Sequence, residues 1–220
     1  MASTNNILEQ SFLNFIDEKA FPCSGAKTAL ARDQITFYLA DSIHCPARDV
    51  EILKRVYQFI EQYRLKGSLF SSLIIAFNDS QSLTEVEFET ALWKRLQALH
   101  KLDLVWFEWN KTVSAEPTDK NFSFSLGGEA FYLIGGHPNS GRPARAFQKP
   151  AIVFNLHEQF EQLRQAGKYT PMRDSIRAKD ARVNGSVNPM LSDFGTQSEA
   201  RQYSGRSVDP EWKCPFHQAS

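Results

Sequence analysis

The 220-residue chain is 42% hydrophobic and 23% charged, a globular composition too apolar for disorder and too polar for membrane residence. Lys+Arg and Asp+Glu stand at 25 each, for a formal charge of zero. That balance excludes a general polyanion binder, so nucleic acid is not an expected partner. A chain of this length buries roughly two-thirds of its unfolded surface as one domain, 1–220, without needing a metal or disulfide for stability.

Three widely spaced cysteines (Cys23, Cys45 and Cys214) form no CxxC pair, which points to a reducing compartment. The start MASTNNILEQ lacks a basic tract followed by an apolar core. The longest strongly apolar run, Leu73 to Phe77, is far too short for a membrane span. A cytoplasmic protein with no membrane partner is expected.

In chain order, Ile7, Phe12, Phe15 and Ile16 recur at helical spacing up to Phe21-Pro22, and a short helix follows Cys23 through Ala26, Leu30 and Ala31. Ile35, Phe37 and Leu39 alternate as a strand. Asp49 is placed to cap a helix whose stripe is Ile52, Val56, Phe59, Ile60 and Tyr63. Leu73–Phe77 reads as a buried strand. Ser82 with Glu85 resembles a capping box for a helix running to about Leu102.

Phe122, Phe124 and Leu126 then alternate before a Gly127-Gly128 turn and a partner strand, Ala130–Ile134. Residues 135–141 read as a loop, Ala151–Phe154 as a strand, and Asn155 as the cap of a helix through Leu163. From Tyr169 to Ser220 periodicity fades, yet Met190, Leu191, Phe194, Tyr203, Trp212 and Phe216 are too apolar for a solvated tail. The expected fold is α+β: a mixed or mostly antiparallel sheet flanked by helices, with a long irregular C-terminal segment wrapped over the core.

No GxSxG, Walker loop, HExxH or strand-linked GxGxxG is present. Attention falls on His137, which follows Gly135-Gly136, and on Arg142 and Arg145 beyond it. Residues 142–182 hold nine Lys/Arg against four Asp/Glu, a local cationic bias. An imidazole beside arginines and aromatics suits a haem: an axial nitrogen, cations for two propionates, and apolar walls. The other reading is a histidine that stabilises a turn. His157 is the second candidate ligand, or else a helix-boundary residue bonded to Glu161. Cys23 and Cys214 are alternative thiolate ligands, or else inert buried thiols.

His44 and His100 read as surface residues. Cys214 and His217 offer two of the four ligands that structural zinc wants, with Cys23 and Cys45 as the others. A cationic substrate calls for a carboxylate, and Glu129 and Glu199 are the acids best placed for one.

Phe-Ser-Phe-Ser-Leu-Gly-Gly-Glu-Ala-Phe (122–131), Gly-Gly-His-Pro (135–138) and Val-Phe-Asn-Leu-His-Glu-Gln-Phe (153–160) together resemble the YqcI/YcgG family. So do Gly-Ser-Val-Asn-Pro-Met-Leu (185–191), Ser-Glu-Ala-Arg-Gln-Tyr-Ser-Gly-Arg (198–206), Trp-Lys-Cys-Pro-Phe (212–216) and the early Phe-Pro-Cys (21–23). Gly141 and Ala146 depart from the family's pattern.

The resemblance implies a haem-dependent N-oxygenase, related to arginine and guanidine N-hydroxylases of cycloserine and guanitoxin biosynthesis. It would use O2 and an external reductase on a small amine or guanidine, and it raises His137 as haem ligand with His157 competing. The absence of CxxCH points to non-covalent haem b. A non-catalytic haem carrier or sensor is the alternative, and a homodimer is left open.

Overall fold

The computed structural model describes residues 4–218. Five apolar tracts pair into one mixed sheet: β1 (Ile35–Ala40), β2 (Ser72–Phe77), β3 (Phe124–Leu126), β4 (Glu129–Gly136) and β5 (Ala151–Leu156), in spatial order β1-β2-β5-β4-β3. β1 and β2 are parallel because an 18-residue helix, α3 (Asp49–Lys66), carries the chain back between them. The other pairings are antiparallel. Gly127 and Gly128 both take positive φ (+61° and +73°), the requirement of a tight two-residue hairpin turn between β3 and β4.

Side chains alternate across this sheet and so divide the molecule. Leu73, Ile75, Phe77, Phe131, Leu133 and Phe154 pack with α3 and with α4 (Glu85–Asp103) in the larger core. Ile74, Ala76 and Ala151 face the other way, towards Phe12 and Ile16 of α1 (Thr4–Asp17). α2 (Ser24–Ala31) follows on that side, its first turn capped by the Cys23 thiol, which accepts from the Ala26 N–H.

Two caps differ from expectation. The capping box of α4 is Thr84–Glu87, two residues beyond Ser82–Glu85. Ser82 and Glu85 instead accept hydrogen bonds from the Asn139 side chain and the Gly141 backbone N–H, so they pin the loop after β4 onto α4. Asp49 caps nothing. It is buried as the first residue of α3 and ion-paired with buried Arg95, which also donates to the Ile43 carbonyl. An acid in the first turn still suits the helix dipole.

β5 extends through Asn155 to Leu156, so Asn155 is a strand residue whose amide bonds Ser72 and Tyr132 rather than a helix cap. α5 (His157–Gln165) starts directly after it. The C-terminal segment wraps the core as expected: Tyr203 and Phe216 are fully buried, and Trp93 of α4 lies against Tyr203, Trp212 and Phe216. It is less irregular than expected, however. It contains α6 (Tyr169–Asn184) and the single turn α7 (Ala200–Tyr203). α6 escaped detection because its helical stripe is thin, at Tyr169, Met172 and Ile176 only. Among the described residues no helix is long and apolar enough to cross a membrane.

Gly135 marks a place of close approach. A Cβ there would lie 2.7 Å from the Tyr203 carbonyl oxygen and 2.8 Å from the Phe88 ring. The neighbours are therefore the chain's own backbone and core rather than a flat ligand. Gly135→Ala should cost ~1–3 kcal/mol through overpacking, seen as a lower urea midpoint with an unchanged m-value.

A cavity on the α1 face as the candidate functional site

The alternation of β4 decides what faces what. Tyr132 and Ile134 project to the α1 side, where α1, α2, α5, α6 and residues 188–202 enclose a cavity of about 290 Å³. Phe131, Leu133 and then His137 project to the α4 side. His137 is buried there, stacked on Phe88 at 4.6 Å and 23°, with Nδ1 unpartnered. Burial lowers its pKa, so it is a neutral core imidazole. It lies outside the cavity, as does Glu129, which pairs with Arg64 by the hairpin turn. Cys214 also lies outside, packed against the larger core, where burial pushes its thiol up to about 12.

His157 does line the cavity. It is the first residue of α5, so the strand-to-helix junction fixes its position, and it is 6% exposed. Nε2 has no hydrogen-bond partner; the nearest carboxylate oxygen is Glu199 Oε1 at 4.0 Å. On the other side of the ring Nδ1 lies 4.0 Å from Glu161, and Phe194 meets the ring edge-on at 4.3 Å. Desolvation pushes the imidazole down to about 4. The ring is therefore neutral at neutral pH, the form that ligates metals.

Glu199, immediately before α7, is 4% exposed. Burial pushes its carboxyl up to about 8, only partly offset by hydrogen bonds from Ser123 and Tyr203. Tyr203 Oη lies 3.2 Å from Glu199 and 3.2 Å from the Phe131 carbonyl, and it accepts from the Phe124 N–H. Among the described residues no arginine or lysine forms an ion pair with Glu199. The Ser123 and Tyr203 hydroxyls and the field of Arg164 favour the carboxylate less than desolvation disfavours it, so the acid stays protonated at neutral pH. In the His157–Glu199 pair the proton thus rests on the carboxyl.

Arg142 and Arg145 both line the cavity, and they differ. Arg142 is paired with Asp180 of α6 at 3.7 Å. Arg145 is 7% exposed and donates Nη1 to the Gly135 and Tyr203 carbonyls at 3.1 and 3.2 Å, with no carboxylate partner. A buried guanidinium without a counter-ion is costly. Cys23 also faces the cavity, and burial pushes its thiol up, which disfavours a thiolate.

Of the sequence candidates, the cavity therefore gathers His157, Arg142, Arg145, Glu199 and Cys23, and omits His137, Glu129 and Cys214. Cys23, Cys45, Cys214 and His217 do not converge: among the described residues no group of three or more His, Cys, Asp or Glu is arranged to hold a metal. His100, expected at the surface, is buried at 1% against Trp109 and Phe216. Sequence reading missed Tyr132, Arg164, Arg173, Arg177 and Phe194. Strand alternation would have paired Tyr132 with Ile134, and an α6 helical period would have grouped Arg173 and Arg177.

A sequence model of the YqcI/YcgG family matches residues 12–217. The chain belongs to the YqcI/YcgG family. The matched span of this YqcI/YcgG protein covers the cavity walls from Phe12 to Gln202. No curated protein and no solved structure matches it.

The two opposed shifts give opposite pH effects. His157 titrates near 6.5 when unfolded and near 4 when folded, so its contribution is lost as pH falls from 6.5 towards 4. Glu199 rises from 4.5 to about 8 on folding. Between those values the unfolded chain has released a proton the folded chain still holds, so stability falls as pH rises. Glu199→Gln removes that second slope. Relative to wild type, its stability should improve with pH between 4.5 and 8, by up to ~1.4 kcal/mol per pH unit, measured by urea unfolding at a series of pH values.

Proposed function

We propose that this YqcI/YcgG protein is a haem-dependent N-oxygenase acting on a small amine or guanidine. The observation that carries the reading is the buried, neutral His157 imidazole, whose Nε2 has no partner in an aromatic-walled cavity that also holds an unpaired arginine. The group implied by the family resemblance fits these residues. His157 Nε2 would hold the iron, Arg145 and Arg142 would take the propionates, and Phe12, Phe21, Phe70 and Phe147 would supply apolar walls. His137 is replaced in that role by His157, because β4 turns it into the opposite core. Cys23 is a poor ligand while burial keeps its thiol protonated.

When bound, haem would supply oxygen activation: with two electrons and two protons from an external donor, one atom of O2 enters the N–H bond as N–OH and the other leaves as water. The chain's own part is to bind, orient and exclude water. Glu199 is the one acid of the Glu129–Glu199 pair inside the cavity. An arriving guanidinium would stabilise its carboxylate, drawing off the proton and forming a charge-assisted hydrogen bond. An acid buried in the cavity wall gives a cationic substrate a partner that a carrier or sensor would not need, and this supports the oxygenase reading.

Titration with hemin should give a Soret band at one haem per chain in wild type and in His137→Ala, with the latter less stable. His157→Ala should abolish or shift the band. A variant pattern in which only His137→Ala loses the band would overturn the assignment.

In haem-loaded protein, Glu199→Gln should weaken binding of arginine-like amines about tenfold or more, the worth of one charged hydrogen bond. The shift of the haem absorption band on titration measures this. Equal dissociation constants would remove Glu199 from substrate binding.

A further inference from the structure

The two edges of the sheet are finished differently. β3 is an edge of three residues whose outer side is occupied: the Phe124 N–H is donated to the Tyr203 hydroxyl, and the Ser125 hydroxyl accepts from the Asn110 N–H. β1 is the other edge, six residues long. The Ser72 N–H donates to the Gln34 carbonyl and the Asn78 N–H to the Ala40 carbonyl, so the even-numbered residues of this parallel pair bond β2. The N–H and C=O groups of Ile35, Phe37 and Leu39 therefore point outward, and among the described residues no hydrogen bond takes them. Both faces of the strand are covered, since Phe37 packs on Phe12 of α1 and Arg55 of α3 lies over Tyr38. Sheets protect an open edge with a charge, a proline, a bulge or extreme shortness. Ile-Thr-Phe-Tyr-Leu-Ala carries none of these, and Thr36 at its middle is exposed.

We propose that two copies of this chain pair β1 to β1, antiparallel about a two-fold axis at Thr36, so that their sheets become one. A two-fold axis admits only the antiparallel arrangement, in which each copy offers the other the same row of groups. Charge chooses the register. An axis at Phe37 would set Asp33 against the partner's Asp41, and one at Tyr38 would set Ile35 against that same acid. The axis at Thr36 instead sets Ile35 opposite the partner's Phe37 and Thr36 opposite the partner's Thr36, both favoured cross-strand pairs. It also lays the exposed Arg32 beside the partner's Asp41. Arg48 takes only Oδ2 of that carboxylate, so Oδ1 is left for Arg32. This match of the strand and its flanking charges to themselves is what singles out a second copy as the occupant. With a formal charge of zero the copies carry no net repulsion. The inference is independent of what fills the cavity.

The test uses the purified full-length chain. Sedimentation should show a concentration-dependent monomer–dimer equilibrium. Thr36→Lys opposes like charges across the axis and should raise the dissociation constant roughly three- to tenfold, with an unchanged circular dichroism spectrum. Amide exchange at Ile35, Phe37 and Leu39 should slow as protein concentration rises, while Thr36 and Tyr38, bonded to β2 in either state, should not respond. Opposite residues of a non-hydrogen-bonded antiparallel pair lie within disulfide reach. Thr36→Cys should therefore give a dimer linked through position 36 on mild oxidation, with exposed Cys45 as the control for random collision. A monomer at every concentration would overturn the pairing. So would a dimer that ignores Thr36→Lys and leaves the Ile35, Phe37 and Leu39 amides exchanging at the monomer rate. Protection of β1 without a link at position 36 would overturn the axis at Thr36.

Discussion

The structure depends on the two-residue period of β4. One strand sends Phe131, Leu133 and His137 into a filled core and Tyr132 and Ile134 into a cavity. On the filled side, α3, α4 and the returning C-terminus bring Trp93, Phe122, Phe124, Tyr203 and Phe216 into contact. On the other side α1 and α2 cover only part of the sheet, and the rest is roofed by α6 and its polar pins. A one-residue slip of β4 would exchange these faces and put His137 in the cavity. The register with β5, Leu133 opposite Phe154 and Gly135 opposite Ile152, prevents it.

The two sides meet at Tyr203. Its ring packs near Trp93 and Phe122, while its hydroxyl bonds strand backbone and Glu199. The C-terminal segment is therefore both the last piece of the core and one wall of the cavity. The same arrangement explains why Gly135 must be glycine: the Tyr203 carbonyl sits over it and also accepts from Arg145. Core packing, the buried acid and the buried arginine thus share one short stretch of chain.

The sheet was readable from the sequence because its strands alternate or run apolar, and because Gly127-Gly128 announces the hairpin. α6 was not, since a helix that faces a cavity carries a thin apolar stripe and many charges. In the sequence His157 ranks only as a competing ligand, because a histidine at a strand–helix junction looks like a surface residue until the covering segment is known. His137 drew attention through its glycines, yet those glycines serve close packing against Phe88, Phe147 and Tyr203. Local sequence cannot state on which face of a sheet a loop residue lands; pairing register decides that.

The cavity's polarity is set by two groups that the fold leaves incomplete. His157 Nε2 lacks a partner, and Arg145 lacks a counter-charge. Leaving a guanidinium buried beside carbonyl dipoles alone costs several kcal/mol in principle, and a core built only for stability would have placed a carboxylate or an apolar side chain there. The charge of Asp180 reaches Arg145, but its carboxylate is committed to Arg142, Asn184 and the Asn188 backbone. The complement of this cavity is therefore an apolar body with an anionic group for Arg145 and a partner for the His157 Nε2. Those demands come from this chain's own unfilled valences, and on the function proposed above a haem would meet them.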